Sequence, residues 1–349
     1  MKINLTKNQF LVFSIFSLLF SLSLGFLVIC EIQTPLSNIN EIYIPIKKPI
    51  TILVFGDMML DRSVRQKINE NGAEYPFEPI KDLLFGNDIV VANAEGPFTS
   101  LNSITLGVKD APLTFTFDQS LLSVLKNLGF TLLGQANNHT LNFGISGFNQ
   151  STTSITNSGL NYFGDPQNKN INLYSKEING EKIAFIAFNE FSYQGLENIT
   201  AAIKEAKNNF SYLIVYPHWG EEYNPSFTPS QQKMAHAFID AGANVVIGTH
   251  PHVIEPIEIY NNKPIFYSIG NFIFDQSQTG PTSEGLAIRI LLEKKSVRYE
   301  LNPFFIKHAQ ASFMDTDSRQ TKLKSLAEIS VISDIFKENI ATGTIKIIR

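Results

Sequence analysis

Five apolar runs in this chain end in the same kind of polar cluster. Ile50–Phe55 runs into Gly56-Asp57, Ile89–Ala92 into Asn93-Ala94-Glu95-Gly96, and Thr131–Gly134 into Gln135-Ala136-Asn137-Asn138-His139. Tyr212–Tyr216 runs into Pro217-His218-Trp219-Gly220, and Asn244–Gly248 into Thr249-His250-Pro251-His252. Short apolar runs bounded by turn residues read as buried parallel strands. Helix candidates lie between them at Gln119–Leu128, Gly144–Asn157, Glu197–Asn208 and Pro229–Ala241. Strands alternating with helices restrict the chain to an α/β fold. In such folds ligands collect just beyond the carboxyl ends of the strands. Lys182–Phe188 and Pro264–Ser268 are further strand candidates. Asn179-Gly180 is a hairpin turn joining Asn172–Ile178 to Lys182–Phe188, and Leu286–Leu292 with Arg298–Ile306 reads as a second hairpin. Antiparallel elements therefore join the parallel ones, and the sheets are expected to be mixed.

The five strand ends hold two carboxylates, four side-chain amides and four imidazoles. Carboxylate and amide oxygens combined with imidazoles suit Mn, Fe or Zn, unranked, rather than Ca. Six or more such groups exceed one tetrahedral centre and fit one or two divalent metals, a pair lying about 3.5–4 Å apart. Taken singly, each residue has an ordinary reading. Asp57 after Gly56 suits a turn, Asn138 suits a helix cap, and His218 can pack beside Trp219. Their shared position at strand ends is what points to a site. Net charge is −4, charged residues are 17% of the chain and no basic patch appears, which argues against a nucleic-acid partner. With Cys30 the single cysteine, neither an internal disulfide nor a cysteine-based zinc site is available.

Phe10 to Ile29 is an uncharged apolar run, preceded by Lys2 and Lys7 and followed by no basic residue until Lys47. A helix of that length spans about 30 Å, the thickness of a bilayer core. The lysine asymmetry predicts residues 1–9 in the cytoplasm, a single-pass anchor at 10–29 in the cell membrane and the rest outside. A cleaved signal peptide and a lipoprotein acylated at Cys30 are the alternatives. Residues 30–49, with Pro35, Pro45 and Pro49, read as a linker. The main domain is expected over 50–310. A C-terminal extension over 311–349 is expected to hold a helix and a short strand at Thr344–Ile348.

Longer motifs carry a resemblance. His218-Trp219-Gly220-Glu221-Glu222-Tyr223, Ala241-Gly242-Ala243, Val246-Ile247-Gly248-Thr249-His250-Pro251-His252-Val253 and Tyr267-Ser268-Ile269-Gly270-Asn271-Phe272-Ile273-Phe274-Asp275 occur in this order. With Gly56-Asp57-Met58-Met59-Leu60-Asp61-Arg62 and Ala136-Asn137-Asn138-His139, they resemble the CapA capsule-synthesis (poly-γ-glutamate biosynthesis) family. That family belongs to the calcineurin-like metallophosphoesterase superfamily. The resemblance implies a four-layer α/β/β/α sandwich with mixed sheets, and metal ligands at Asp57, Glu95, Asn138, His218, His250 and His252. It makes His139 the candidate acid for the leaving group, and Arg62 and Asn271 motif residues expected at the substrate. Met59 stands where a metallophosphoesterase typically has a histidine. Asn142, Asn244 and Thr249 are further departures. His236 and His308 are read as structural or surface residues.

The resulting expectation is a membrane-anchored, extracytoplasmic hydrolase of phosphoester or related bonds in capsule or poly-γ-glutamate biosynthesis. Its partners would be an anionic polymer or its precursors, the membrane and capsule synthase subunits. The alternative is a polymer-binding or scaffold component without turnover, since a fold does not by itself fix a function.

Overall fold

Along Ile50–Met58, alternate residues serve two different cores. Ile52 and Val54 face a second sheet, whereas Leu53 and Phe55 face a helical layer. This follows from the two-residue period of a strand whose two faces are both buried. The structure, a computed structural model, describes residues 48–108, 112–192, 195–276 and 280–349. The expected cytoplasmic segment, the anchor Phe10–Ile29 and the linker up to residue 47 lie outside the described residues. Among the described residues, no helix is long and apolar enough to cross a membrane.

Strands are numbered along the chain. The first sheet has a parallel half of β1 (Ile50–Met58), β2 (Ile89–Ala94), β5 (Leu132–Gly134) and β6 (Asn161–Phe163). Its antiparallel half is β14 (Glu284–Leu292), β15 (Ser296–Lys307), β16 (Gln310–Phe313) and β17 (Thr344–Ile348), and β13 (Asn271–Ile273) runs parallel to the end of β1. The second sheet has parallel strands β8 (Glu181–Asn189), β9 (Tyr212–His218), β10 (Val245–Ile247) and β12 (Lys263–Phe266). Antiparallel β7 (Tyr174–Ile178) and β11 (Ile257–Tyr260) flank them. A small parallel pair, β3 (Phe98–Thr99) and β4 (Phe117–Asp118), stands apart.

Ile52, Val54 and Val91 of the first sheet meet Phe185, Ile214 and Tyr216 of the second in a central core. Helices Arg62–Asn71 and Leu121–Asn127 cover the outer face of the first sheet through Val64, Ile68, Leu122 and Leu125. Leu196–Lys207 and Pro229–Ala241 cover the second through Ile199, Ile203, Met234 and Phe238. The architecture is the expected four-layer α/β/β/α sandwich with mixed sheets. Pro229–Ala241 begins where the sequence chemistry says it should. Pro229 occupies its first turn, and Thr228 and Gln231 form a reciprocal capping box.

Three differences from the sequence reading have physical causes. The segment beginning at Lys263 does not stay in one sheet. Gly270, at φ +70, redirects the chain so that β12 lies in the second sheet and β13 in the first. Residues 311–349 are no appendage either. β17 pairs with β15 from Ser296↔Ile348 to Glu300↔Thr344, while Leu323, Leu326 and Ile340 enter the inter-sheet core. That stretch contains two helices, Thr316–Ile329 and Asp334–Thr342, separated where Val331 bridges Glu258 of β11. Finally, helix Arg62–Asn71 went unread because only Val64 and Ile68 are buried along it, too few apolar positions to show a period.

Candidate metal centre

The carboxyl ends of β1, β2 and β9, with the turns after β5 and β10, bring their polar residues to one place. Asp57 is the last polar residue of β1, and its backbone approaches β13 so closely that Gly56 has no room for a side chain. A Cβ there would lie 1.8 Å from the Gly270 carbonyl oxygen. Gly248 is held in the same way, where a Cβ would lie 2.0 Å from the Tyr267 oxygen. Beyond it, His250 and His252 adopt positive φ values of 95° and 60°. Backbone conformations of this kind cost non-glycine residues about 1–3 kcal/mol each and concentrate at functional sites. Here they aim two imidazoles inward.

Two groups of donor atoms result. In the first, His252 Nδ1 lies 3.5 Å from Asp57 Oδ2, and His252 Nε2 lies 3.7 Å from Glu95 Oε1. Asp57, Glu95 and His252 are all buried, and their ligand atoms fall within 4.8 Å of one another. In the second, His218 Nε2 is 3.0 Å from Asn138 Oδ1 and 3.2 Å from His250 Nδ1. The backbone N–H of His250 donates to Asp57 Oδ2 at 2.9 Å, so Asp57 touches both groups.

A directed chain of amides holds the groups in place. Asn137 Oδ1 accepts from the backbone N–H of His139 at 3.1 Å and of Thr140 at 2.9 Å. Asn137 Nδ2 donates to Asn93 Oδ1 at 3.0 Å, and Asn93 Nδ2 donates to Asp57 Oδ1 at 2.7 Å. Backbone donors at one end fix both amide orientations. Asn93 Nδ2 also lies 3.2 Å from His218 Nδ1.

Burial alone would raise the Asp57 pKa. The hydrogen bond from His252, the His218 and His252 charges and the Asn93 amide outweigh it and hold the group at about 2. Glu95 is pushed well up by burial and by the Asp57 charge. His252 is disfavoured by burial but carried to about 9 by Glu95 and Asp57, whereas burial and the His252 charge press His250 down to about 3. Burial, then the His250 charge, also drives His218 well down, as suits an imidazole that offers a lone pair. Both carboxylate oxygens of Glu95 are buried without a hydrogen-bond partner among the described residues. An orphaned buried carboxylate is costly unless something positive meets it. The oxygen and imidazole donors around it are those a divalent transition metal accepts. The residues present therefore fit such an ion.

The remaining expected residues have distinct places. His139 packs against Phe115 with ring centroids 4.5 Å apart, and its Nε2 lies 3.8 Å from Glu95 Oε1. Asn142 Oδ1 accepts from the Phe115 N–H at 2.7 Å and lies 3.2 Å from His139 Nδ1. An oxygen already accepting a backbone proton calls for a hydrogen on Nδ1, which leaves Nε2 facing the site. Burial lowers the His139 pKa. Arg62, at φ 50°, forms a forked ion pair with Asp275 and lies over the rings of Phe115 at 5.3 Å and Phe274 at 5.7 Å. Asn271, expected at the substrate, is fully buried, and its Oδ1 lies 2.9 Å from His252 Nδ1. His236 lies apart, 2.9 Å from Glu258 and stacked on Tyr260.

The sequence reading did not assign Asn93, Asn137, Phe191, Glu222 or Asp275 to the site. Asn93 and Asn137 sat inside the quoted strand-end clusters, and their position there was the available signal. Glu222 and Asp275 sat inside the longer motifs. Phe191, whose ring centroid is 4.3 Å from that of His250, gave no local signal. A cleft of about 320 Å³ opens beside the second donor group, lined among others by Asn138, Leu141, Gln167, Lys169 and Phe191.

With this geometry in hand, comparison with known proteins is decisive at the family level. Residues 51–276 match the family described as bacterial capsule synthesis protein PGA_cap. The chain belongs to this family. Its relatives include the PGA biosynthesis protein CapA of Bacillus subtilis (strain 168), 31% identical over 287 residues that cover 76% of this chain and 74% of that protein. The capsule biosynthesis protein CapA of Bacillus anthracis is 30% identical over 264 residues, covering 69% of this chain and 64%, just under two thirds, of that relative. Among solved structures, a putative 5'-nucleotidase from Staphylococcus aureus aligns with a TM-score of 0.43 and 12% identity, over 80% of this chain and 58% of that one. As a PGA_cap member, the chain is a CapA-like protein of capsule or poly-γ-glutamate biosynthesis. His218, His250, His252 and Asn271 lie within the matched residues, as do Asp57 and Glu95.

Proposed function

We propose that this protein is a membrane-anchored, extracytoplasmic, metal-dependent hydrolase of phosphoester or related bonds, acting in capsule or poly-γ-glutamate biosynthesis. The observation that carries the reading is Glu95. Its carboxylate is buried with both oxygens unpartnered among the described residues, beside Asp57 and His252 and at the carboxyl ends of parallel strands. Asp57, Glu95 and His252 would hold one divalent cation, and Asn138, His218 and His250 a second. Bound there, such an ion supplies Lewis acidity to a water and to the bond it attacks.

The chain's own residues do the rest. Asp57 stays ionised, and the amides of Asn93 and Asn137 keep it oriented. Asn142 holds His139 so that Nε2 faces the site. Once it has taken a second proton from solvent on Nε2, His139 passes that proton to the leaving oxygen and returns to the neutral ring with its hydrogen on Nδ1. Arg62, gripped by Asp275 between two phenyl rings, is placed to meet an anionic substrate. Lys169 adds a cationic side chain to the cleft wall, which suits an anionic polymer or its precursors. The lysine asymmetry around Phe10–Ile29 supports a cell-membrane location with the domain outside, and capsule synthase subunits would be its neighbours there.

The test is elemental analysis of the full-length protein, followed by turnover assays on phosphomonoesters, phosphodiesters and poly-γ-glutamate. Wild type should carry Mn, Fe or Zn and cleave at least one of these substrates. Asp57→Ala and His250→Ala should lose most of the metal, whereas His236→Ala should keep it. Equal metal content in all three variants would sink the site assignment. Full occupancy without turnover on any substrate class would instead favour a polymer-binding or scaffold role.

A further inference from the structure

Asp57, Glu95 and His252 supply two carboxylates and one imidazole, which leaves a divalent cation room for a further protein or water ligand. Two nearby residues are committed elsewhere. Asn271 is turned to His252 Nδ1, and Met59 is buried in the core beneath the helical layer, its sulfur accepting the Asp61 N–H at 3.1 Å.

A fourth donor stands on the loop between β9 and helix Pro229–Ala241. The Glu222 carboxylate forms a group with His250 and His252 whose ligand atoms lie within 4.8 Å of one another. His252 therefore belongs to this group and to the Asp57–Glu95 group. The Glu222 charge also reaches the others, for it acts to raise the pKa of both Glu95 and His139. The residue is exposed, yet the backbone on either side is pinned to the ligand-bearing turn. Trp219 N–H donates to the Thr249 oxygen at 3.2 Å and Tyr223 N–H to the Pro251 oxygen at 2.8 Å. Gly220 N–H donates to Glu190 Oε2 at 2.8 Å, and Gln276 Nε2 donates to the Tyr223 hydroxyl at 2.8 Å. A loop tied at four points around one carboxylate presents it in a defined place.

We infer that Glu222 is an additional protein ligand of the metal centre, entering it beside His250 and His252, and that it adds a solvent-side oxygen donor suited to a hard divalent ion of the Mn²⁺ class. With Glu222 the centre offers three carboxylates, and oxygen donors favour such an ion. The solvent-facing position of Glu222 makes it the ligand nearest to an arriving ion. The inference rests on the metal-centre reading above, and its test separates the two.

Full-length protein stripped of metal is titrated with Mn²⁺ by calorimetry, as wild type, Glu222→Gln and Glu221→Gln. Wild type should take up Mn²⁺, Glu222→Gln should weaken one binding event at least tenfold, and Glu221→Gln should match wild type. Loss of groups that merely support a ligand already costs about 10–100-fold in metal affinity, so loss of a ligand should not fall below that. Thermal melts of the metal-free proteins check that Glu222→Gln folds as wild type does, which an exposed side chain permits. Glu222→Gln binding within twofold of wild type overturns the inference and leaves the metal centre standing. A wild-type chain that takes up no cation overturns both.

Discussion

His139 separates chemistry from scaffolding more cleanly than any metal ligand does. It touches Glu95 only at 3.8 Å, and Asn142 rather than a metal-ligating group holds its Nδ1. Its removal should therefore spare the metal and slow turnover. For His139→Ala we expect unchanged metal content and a loss of about 10²–10⁴-fold in kcat, the usual contribution of a positioned acid–base group. The loss should be largest for substrates with poor leaving groups, and a comparison of nitrophenyl with alkyl esters measures it. A variant that also loses its metal, or that hydrolyses both ester types as fast as wild type, would remove His139 from this role. At the same scale, Asn93 and Asn137 would act on the reaction by positioning others, chiefly Asp57 and also His218 and the His139 turn. They order a carboxylate that would otherwise have to choose among His218, His252 and the His250 N–H.

The elements most legible in the sequence are the ones that place the site. The five apolar runs ending in polar clusters appear as β1, β2, β5, β9 and β10, because a strand buried on both faces leaves an unbroken apolar signature. The Asn179-Gly180 turn was equally clear. β6, β13 and β16 were not. They begin with Asn161, Asn271 and Gln310 and so lack an unbroken apolar run, and β13 exists because Gly270 sends the chain from one sheet to the other. The donors at the site could be read residue by residue, but their geometry could not. Nothing local says that Asn271 serves His252, or that Phe191 lies against His250. The two-core alternation also sets the cost of damage. Phe185 of β8 is fully buried between the sheets, against Phe163 at 5.5 Å and Tyr174 at 6.3 Å. Phe185→Ala should destabilise the fold by about 3–5 kcal/mol, read from the shift of the urea midpoint. A change below 1 kcal/mol would mean that the inter-sheet packing is looser than described.

For the whole molecule, the clearest pH handle lies outside the metal centre. Glu255 is buried, with Gln231 Nε2 donating to Oε2 at 2.8 Å and Oε1 without a partner among the described residues. Burial, reinforced by the Glu221 charge and only partly offset by Gln231, pushes its carboxyl from 4.5 up to about 8. The folded chain then holds a proton that the unfolded chain releases. Stability from this group is full below about pH 4.5 and is lost as pH rises toward 8. Each tenfold difference in proton affinity is worth about 1.4 kcal/mol, so the loss is on the order of a few kcal/mol. Glu255→Gln keeps the shape and removes the proton, so its Tm should fall less between those pH values than that of wild type. Parallel profiles would show that Glu255 ionises without strain. A wider consequence comes from how far apart the ligands lie along the chain, from Asp57 to His252. No short stretch of unfolded polypeptide can gather them, so a cation recognises only the finished fold. Mass action then draws the population toward that fold, by about 2.7 kcal/mol when free ion stands at a hundred times its dissociation constant. On the proposed reading, metal supply would govern how many copies survive as well as how fast each one works.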